Sequence, residues 1–241
     1  MVEERISDIA KMLSHQAKEF SMKQLEKARD AFEKKNYKLA AELLQEATEL
    51  NPDEIEIWLT FSGILDLAKE DNEALRAANR ALEIDSRNVQ ALLRKGIALL
   101  KLKRHEEAIA TFDEGLKLYK WNVGFWYYKG IALQGLKRIP AALECFEAAE
   151  KIDPDDKDIL YEKGRMLLAM FAEREALKCF EKIIKKDLFY CEAWFGKGMA
   201  LFEMNQYDEA KRFALKGLSC AEQKKNAELV AEIKRFLKRF R

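Results

Sequence analysis

The sequence predicts an all-α protein, a solenoid made of antiparallel helix pairs that repeat along the chain. The first observation is a set of four glycines spaced 34 residues apart, Gly96, Gly130, Gly164 and Gly198. The second is that the stretches around them resemble one another. The third is the scarcity of loop-forming residues, with three prolines and ten glycines in 241 residues. Self-similarity of this period indicates one supersecondary unit that is copied and stacked.

The composition provides for a continuous core and a highly charged surface. Hydrophobic residues make up 49% and charged residues 35% of the chain, and 43 basic residues nearly balance 42 acidic ones. This balance gives no overall field directed at nucleic acid. Apolar runs are too short to cross a membrane, and residues 1–5 lack the pattern of a signal peptide. The four scattered cysteines suit a reducing compartment. We therefore expect a cytoplasmic protein without a membrane segment.

The N-terminal residues 1–20 are predicted to form an amphipathic helix of their own. Apolar residues including Ile6, Leu13 and Phe20 return at helical spacing. Ser21 is followed three residues later by Gln24, a pattern that fits a capping box, so we place a helix boundary there. The alternative is one long helix that continues to Glu33, since no glycine or proline interrupts this stretch.

Residues 21–224 are predicted to form six units, each with two helices. In the first helix a large apolar residue stands four positions before a small one, as in Trp126 and Gly130. In the second helix a small residue precedes a large one by four, as in Ala142 and Phe146. Small residues at a helix crossing let two backbones approach, and a bulky side chain of the partner helix fills the space beside them.

Residues 225–241 are predicted to form a C-terminal capping helix. Five apolar residues share one face of this segment: Leu229, Ile233, Phe236, Leu237 and Phe240. The last unit of a solenoid needs a terminal element with a polar outer side, because no further unit covers it.

These units resemble the tetratricopeptide repeat (TPR) family, whose 34-residue motif runs W-x2-L-G-x2-Y, then A-x3-F, then P. Five residues of the fourth unit match it: Trp126, Gly130, Ala142, Phe146 and Pro154. The resemblance covers residues 21–224. It implies a right-handed superhelix whose first helices line the concave face, and a non-enzymatic role in protein–protein interaction. The first unit matches weakly, and Lys replaces the usual Leu in units three to six.

No residue pattern points to catalysis, to a cofactor or to a metal. The two histidines, His15 and His105, stand ninety residues apart, and the sequence lacks a nucleophile elbow, a phosphate-binding loop and zinc-ligand spacing. Cys145 and Cys179 occupy the same position in adjacent units. Because equivalent positions lie farther apart than the roughly 7 Å limit for a disulfide, we expect both cysteines to pack in the core.

A partner-binding surface is predicted on the first helices. Five residues, each following the large core residue of its helix, form what we call the first-helix ladder: Leu59, Leu93, Tyr127, Tyr161 and Phe195. Five further residues should lie beside it: Arg94, Tyr128, Ile131, Arg165 and Met199. Rings at this spacing suit an extended peptide or a helix. The alternative, that the rings merely stack on their neighbours, stays open.

A second contact surface is predicted at one edge of the solenoid. Turns between units are generally polar, but 119–121 and 188–190 contain clustered aromatics. Trp121 and Phe189 are two repeats apart and should emerge on the same edge. Exposed aromatic clusters mark contact surfaces. The competing interpretation is that each ring folds back over the next first helix.

The function predicted from the sequence is that of an interaction scaffold, which binds a peptide or helix of a partner protein in a concave apolar and aromatic groove. Two alternatives remain. One is a structural homo-oligomerisation module. The other is a helical repeat that binds nucleic acid, which is less favoured because Asp66, Asp158 and Glu162 share the predicted groove.

Overall fold

The computed structural model describes residues 2–240, except for the side chains of residues 2–6 and 8–10. Within this range the chain forms thirteen α-helices and a final 3-10 turn, without a strand. The helices are α1 (Val2–Glu33), α2 (Tyr37–Leu50), α3 (Ile55–Leu67), α4 (Asp71–Ile84), α5 (Val89–Lys101), α6 (His105–Leu118), α7 (Val123–Gly135), α8 (Ile139–Ile152), α9 (Lys157–Ala169), α10 (Glu173–Lys186), α11 (Cys191–Glu203), α12 (Tyr207–Gln223) and α13 (Ala227–Leu237). The 3-10 turn is Lys238–Phe240.

The helices form two compact units, residues 1–120 and residues 121–241, called unit 1 and unit 2 below. These are larger than the 34-residue repeats, since each contains three helix pairs. In unit 1, α1 packs with α2, α3 with α4 and α5 with α6. In unit 2, α7 packs with α8, α9 with α10 and α11 with α12, while α13 covers α12. The predicted all-α class, built from sequential antiparallel helix pairs, is confirmed.

Helix α1 corrects the predicted boundary at Ser21. The helix runs unbroken to Glu33, so a separate helix over residues 1–20 is wrong and the alternative of one long helix is confirmed. Ser21 is buried, and its hydroxyl donates to the carbonyl of Lys18 at 2.7 Å instead of capping a new helix. Buried Gln24 donates to Glu46 of α2. The hydroxyl of Ser21 is therefore satisfied within α1 and the amide nitrogen of Gln24 by α2, without a helix boundary between them. Ile6 of the predicted apolar face lies outside the described side chains.

The glycine register creates close contacts between the two helices of a pair. A Cβ added at Gly130 would lie 2.8 Å from the ring of Phe146, and one at Gly164 would lie 2.8 Å from Phe180. Both rings are fully buried. The predicted packing of small against large residues is confirmed. At Gly198 the added atom would instead meet the backbone of α12, at 3.0 Å.

The turn inside each helix pair repeats a feature that the sequence did not reveal. Six residues spaced 34 apart have φ between 58° and 64°: Lys35, Lys69, Lys103, Lys137, Phe171 and Asn205. A left-handed residue ends a helix by letting the next N–H return to a carbonyl five residues back. Asn36 N, for example, donates to Ala31 O at 2.9 Å. Glycine usually occupies such left-handed positions. Because none of these six residues is glycine, the sequence did not show that the left-handed turn repeats.

The C-terminal segment packs an apolar face against α11 and α12. Leu229, Ile233 and Phe236 of α13 are buried, in a cluster that includes Phe195 and Ala214. The basic side chains of Lys234, Arg235, Lys238 and Arg239 stay exposed. The predicted apolar face of this helix is confirmed.

The cysteines divide into two classes. Cys145 and Cys179 are buried free thiols, as predicted. Cys191, at the start of α11, forms a disulfide with Cys220, in the last turn of α12, with their Cα atoms 5.3 Å apart. The expectation that all four cysteines are reduced is wrong, because antiparallel packing brings the start of one helix beside the end of the next. The cytoplasmic location stays a prediction, which this pair does not support.

Candidate functional site

The candidate site lies in unit 2, on the side of first helices α7 and α9 that carries the tyrosines of the ladder. Tyr127 is half-buried, and its ring centroid lies 5.9 Å from that of core Phe146 and 5.2 Å from that of Tyr128, in edge-on geometry. Edge-on aromatic pairs stabilise beyond the area that they bury. Core packing thus holds the ring of Tyr127 in one orientation while part of it remains accessible.

The next tyrosines extend this surface along α9 to the start of α11. The ring of Tyr161 packs 6.1 Å from that of Phe180 and 5.7 Å from that of Tyr190, centroid to centroid. The hydroxyl of Tyr190 donates to Asp158 Oδ1 at 2.8 Å. Arg165 places its guanidinium 5.8 Å from the centroid of the Tyr161 ring, within cation–π range.

Carboxylates surround these rings. Burial raises the pKa of Glu162, although its partners Arg165 and Gln134 oppose the shift. The Arg165 guanidinium lies 2.9 Å from Glu162 Oε2. Glu192 and Glu232 also act electrostatically on Tyr161, whose pKa rises to about 12, mainly through burial.

The other two tyrosines have similar surroundings. Burial, followed by the charges of Glu162 and Asp158, raises the pKa of Tyr127. Burial and the hydrogen bond to Asp158 raise the pKa of Tyr190. All these hydroxyls therefore stay protonated at neutral pH. The surface offers aromatic faces, hydroxyl donors and more negative than positive charge. We call it the tyrosine face, formed by Tyr127, Tyr128, Asp158, Tyr161, Glu162, Arg165 and Glu192.

The C-terminal end of the ladder is covered. Phe195 is only 2% exposed and lies 5.4 Å from the ring of Phe236 in α13. The prediction that Phe195 faces a partner is therefore wrong, because α13 packs on the side of α11 that carries it. Met199 packs against the same cluster. Ile131 and Tyr128 are half-buried on α7.

The ladder residues of unit 1 are described separately. Leu59 and Leu93 are half-buried. Arg94 is half-buried and lines a cavity of unit 1 that is treated further below. Their predicted contact with a partner stays a prediction.

The edge aromatics are exposed, as predicted. Trp121 is 73% and Phe189 is 66% exposed, and Leu188 beside it is similarly accessible. The alternative, in which both rings fold over the next helix, is wrong. Phe171, in the turn between α9 and α10, is 82% exposed and was not among the predicted contact residues. In the other helix pairs the equivalent residue is lysine or asparagine. The change to phenylalanine at this position was the sequence signal that could have indicated Phe171.

The described part of the chain lacks two features, a metal-binding cluster and a membrane-spanning helix. No group of three or more histidine, cysteine, aspartate or glutamate side chains there has the arrangement needed to hold a metal ion. None of the helices in that part combines the length and the apolar character that crossing a membrane requires.

Three solved structures with a similar fold are each distant in sequence. PilW, described as a widely conserved type IV pilus biogenesis factor, matches with a TM-score of 0.76 at 17% identity, over 88% of this chain and 97% of that one. Pseudomonas aeruginosa pilF matches with a TM-score of 0.73 at 18% identity, over 91% and 99%. YrrB, described as a TPR protein with an unusual peptide-binding site, gives 0.61 at 22% identity, over 81% and 99%. These likenesses concern the fold.

Sequence comparison identifies the repeats directly. Among curated proteins none matches the chain. Four family models, each described as tetratricopeptide repeat, match residues 31–95, 72–120, 123–156 and 192–224. The repeat register, the helix pairs and these matches agree, and the chain belongs to the tetratricopeptide repeat family.

Proposed function

We propose that this protein is a non-enzymatic interaction module that binds a segment of a partner protein on its tyrosine face. Membership of the TPR family supports protein–protein interaction as the class of function, and YrrB is described as having a peptide-binding site. The observation that carries the proposal is the row of half-buried tyrosines on α7 and α9. Core packing orients these rings, so binding needs little further ordering of them.

The charges around the rings favour a basic partner segment. Asp158, Glu162, Glu192 and Glu232 act on Tyr127 or Tyr161. The nearby cations Arg165 and Lys157 are paired, with Glu162 and Asp187 respectively. A lysine or arginine of the partner would gain from both the carboxylates and the ring faces. Since α13 covers Phe195, the proposed surface ends at Glu192 in the first turn of α11.

The test is a selection of random peptides on the immobilised protein, followed by affinity measurements with the variant Asp158→Asn/Glu192→Gln. The side-chain amide oxygen introduced by Asp158→Asn can still accept from the hydroxyl of Tyr190, so the fold should be kept. We expect peptides rich in lysine or arginine, and a loss of affinity of about 5–30-fold in the variant, which is roughly 1–2 kcal/mol.

The matched control is Glu106→Gln/Glu144→Gln, which removes the same charge from exposed positions on second helices. It should bind like the wild type at moderate salt, because separated surface charges are screened. Selected peptides without basic residues, or equal losses in both variants, would contradict the assignment of the tyrosine face.

Self-association is a second candidate function, favoured by the exposed edge residues Trp121, Leu188 and Phe189. Substituting Trp121 and Phe189 together by serine should lower the association measured by sedimentation while leaving the melting temperature nearly unchanged. Unchanged association in this variant would contradict the candidate. The acidic tyrosine face argues against nucleic-acid binding, which filter binding at two salt concentrations would check.

A further inference from the structure

A cavity of about 290 Å³ opens among the first helices of unit 1. Its apolar walls come from Phe32 of α1 and from Ile64 and Leu67 of α3. Arg29 and Arg94 bring positive charge to it, from α1 and α5. Small-molecule pockets begin at about 300 Å³, so this volume suits one or two side chains better than a larger ligand.

The guanidinium of Arg94 is held against the backbone of α3. A Cβ added at Gly63 would lie 2.4 Å from Arg94 Nη1 and 2.8 Å from its Cζ. Only the missing side chain at position 63 therefore permits this placement. The sequence predicted Arg94 as a partner-contacting residue, but gave no sign that Gly63 makes room for it.

Arg94 differs from Arg29, Arg76, Arg80 and Arg104 of unit 1 in lacking a direct acidic partner among the described residues. Its Nε is buried and finds no hydrogen-bond acceptor in that part of the chain. In contrast, Arg29 pairs with Glu56 at 2.5 Å and Arg104 with Glu107 at 2.7 Å. Arg76 pairs with Glu73 and Arg80 with Glu83. An arginine keeps its charge in proteins, so burying one without a partner carries a cost that a bound anion would offset.

The carboxylate that acts electrostatically on Arg94, Asp66, is paired with a lysine. Asp66 Oδ1 lies 2.7 Å from the ammonium of Lys101. Burial lowers the pKa of Arg94, and Asp66 reverses only part of this shift. The guanidinium of Arg94 therefore lines the cavity beside an apolar wall, without a direct acidic partner among the described residues.

We propose that this cavity binds an acidic side chain of a partner segment, with the carboxylate on Arg94 and a neighbouring apolar side chain on Phe32 and Leu67. Guanidinium and carboxylate match in a two-point geometry that an amide cannot reproduce. Phe32 and Leu67 are 40% and 49% exposed, so both can be covered further. This second site is independent of the tyrosine face, and either can fail while the other holds.

The probe is a capped peptide, Ac-Ala-Leu-Glu-Leu-Ala-NH2, titrated into the full-length protein labelled with ¹⁵N. The Nε–H signal of Arg94, assigned by its loss in Arg94→Gln, should shift as the peptide binds. The counterpart with glutamine in place of glutamate should bind at least about 10-fold more weakly, because it leaves the guanidinium unpaired. A third peptide carries glutamine and a free C-terminal carboxylate, and should also bind weakly.

Three variants separate this site from general electrostatics. Arg94→Gln should abolish the preference for glutamate. Arg87→Gln removes the same charge at an exposed position of unit 1 and should leave the preference intact. Gly63→Ala keeps the charge but displaces the guanidinium, so it should reduce the preference without changing helix content.

Four results would overturn the proposal. The first two are the absence of binding up to millimolar peptide and equal affinity for the glutamate and glutamine peptides. The third is an equal loss of affinity in Arg94→Gln and Arg87→Gln. The fourth is a preference for the free-carboxylate peptide, which would mean that the site recognises a C-terminal carboxylate and not an acidic side chain. None of them bears on the tyrosine face, which is probed by variants in unit 2.

Discussion

Phe195→Ala is the substitution that best separates packing from binding on the ladder. Phe195 is enclosed by α13, where its ring meets that of Phe236 at 5.4 Å. Truncating a buried phenylalanine removes transfer energy and leaves a cavity, at a cost of about 3–5 kcal/mol. Single domains are stable by about 5–15 kcal/mol, so this cost is a large part of the total.

The assay is unfolding in urea, followed by circular dichroism, with Phe189→Ala as the matched control. Both variants lose the same atoms, but Phe189 is exposed, and its truncation should change stability by no more than about 0.5 kcal/mol. Because repeats interact mainly with their neighbours, the loss in Phe195→Ala should first appear as early melting of α11–α13. Equal stability of the two variants, with loss of peptide binding in Phe195→Ala alone, would refute the reasoning and return Phe195 to the binding surface.

Three further predictions follow from the packing and the titrating groups. Gly130→Leu should lower the free energy of unfolding by about 1–3 kcal/mol or more, because even a Cβ there would lie 2.8 Å from the Phe146 ring. A wild-type melting temperature in this variant would show that the glycine register has no role in packing. Reducing the Cys191–Cys220 disulfide should lower stability by about 3–4 kcal/mol in the chain-entropy model, and Cys191→Ser should then be insensitive to reductant. The pKa of Tyr161 is raised to about 12, so the folded state holds its proton longer and stability should fall between about pH 10 and 12; Tyr161→Phe should flatten part of that fall.

The sequence contained the information that sets the helix pairs. The 34-residue register of Gly130 with Phe146 is a local pattern that fixes which faces meet, and the structure realises it. Ser21 shows the limit of local signals. A serine three residues before a glutamine resembles a capping box, but Ser21 donates to Lys18 within α1 and Gln24 donates to Glu46 of α2, so the helix continues. At Ser21, tertiary packing outweighs the local signal for a helix start.

The errors at the candidate site have a common physical origin. Phe195 is buried by α13, whose place on α11 depends on packing that no motif in either segment describes. Cys191 and Cys220 meet because antiparallel helices bring distant positions together. Arg94 was found from its place on the first helix, but the space over Gly63 emerged only from the packing of α3 against α5. The small-against-large pattern within each repeat was readable, whereas these three contacts between helices were not.

The central claim is that a partner segment binds on the tyrosine face, and fluorine NMR tests it most directly. Incorporating 3-fluorotyrosine labels all seven tyrosines, and Tyr→Phe variants assign the signals. On titration with the tightest selected peptide, the signals of Tyr127, Tyr128 and Tyr161 should move together with one dissociation constant, while those of Tyr37 and Tyr207 stay in place. Movement of Tyr37 or Tyr207 alone, with the three tyrosine-face signals unchanged, would contradict the account.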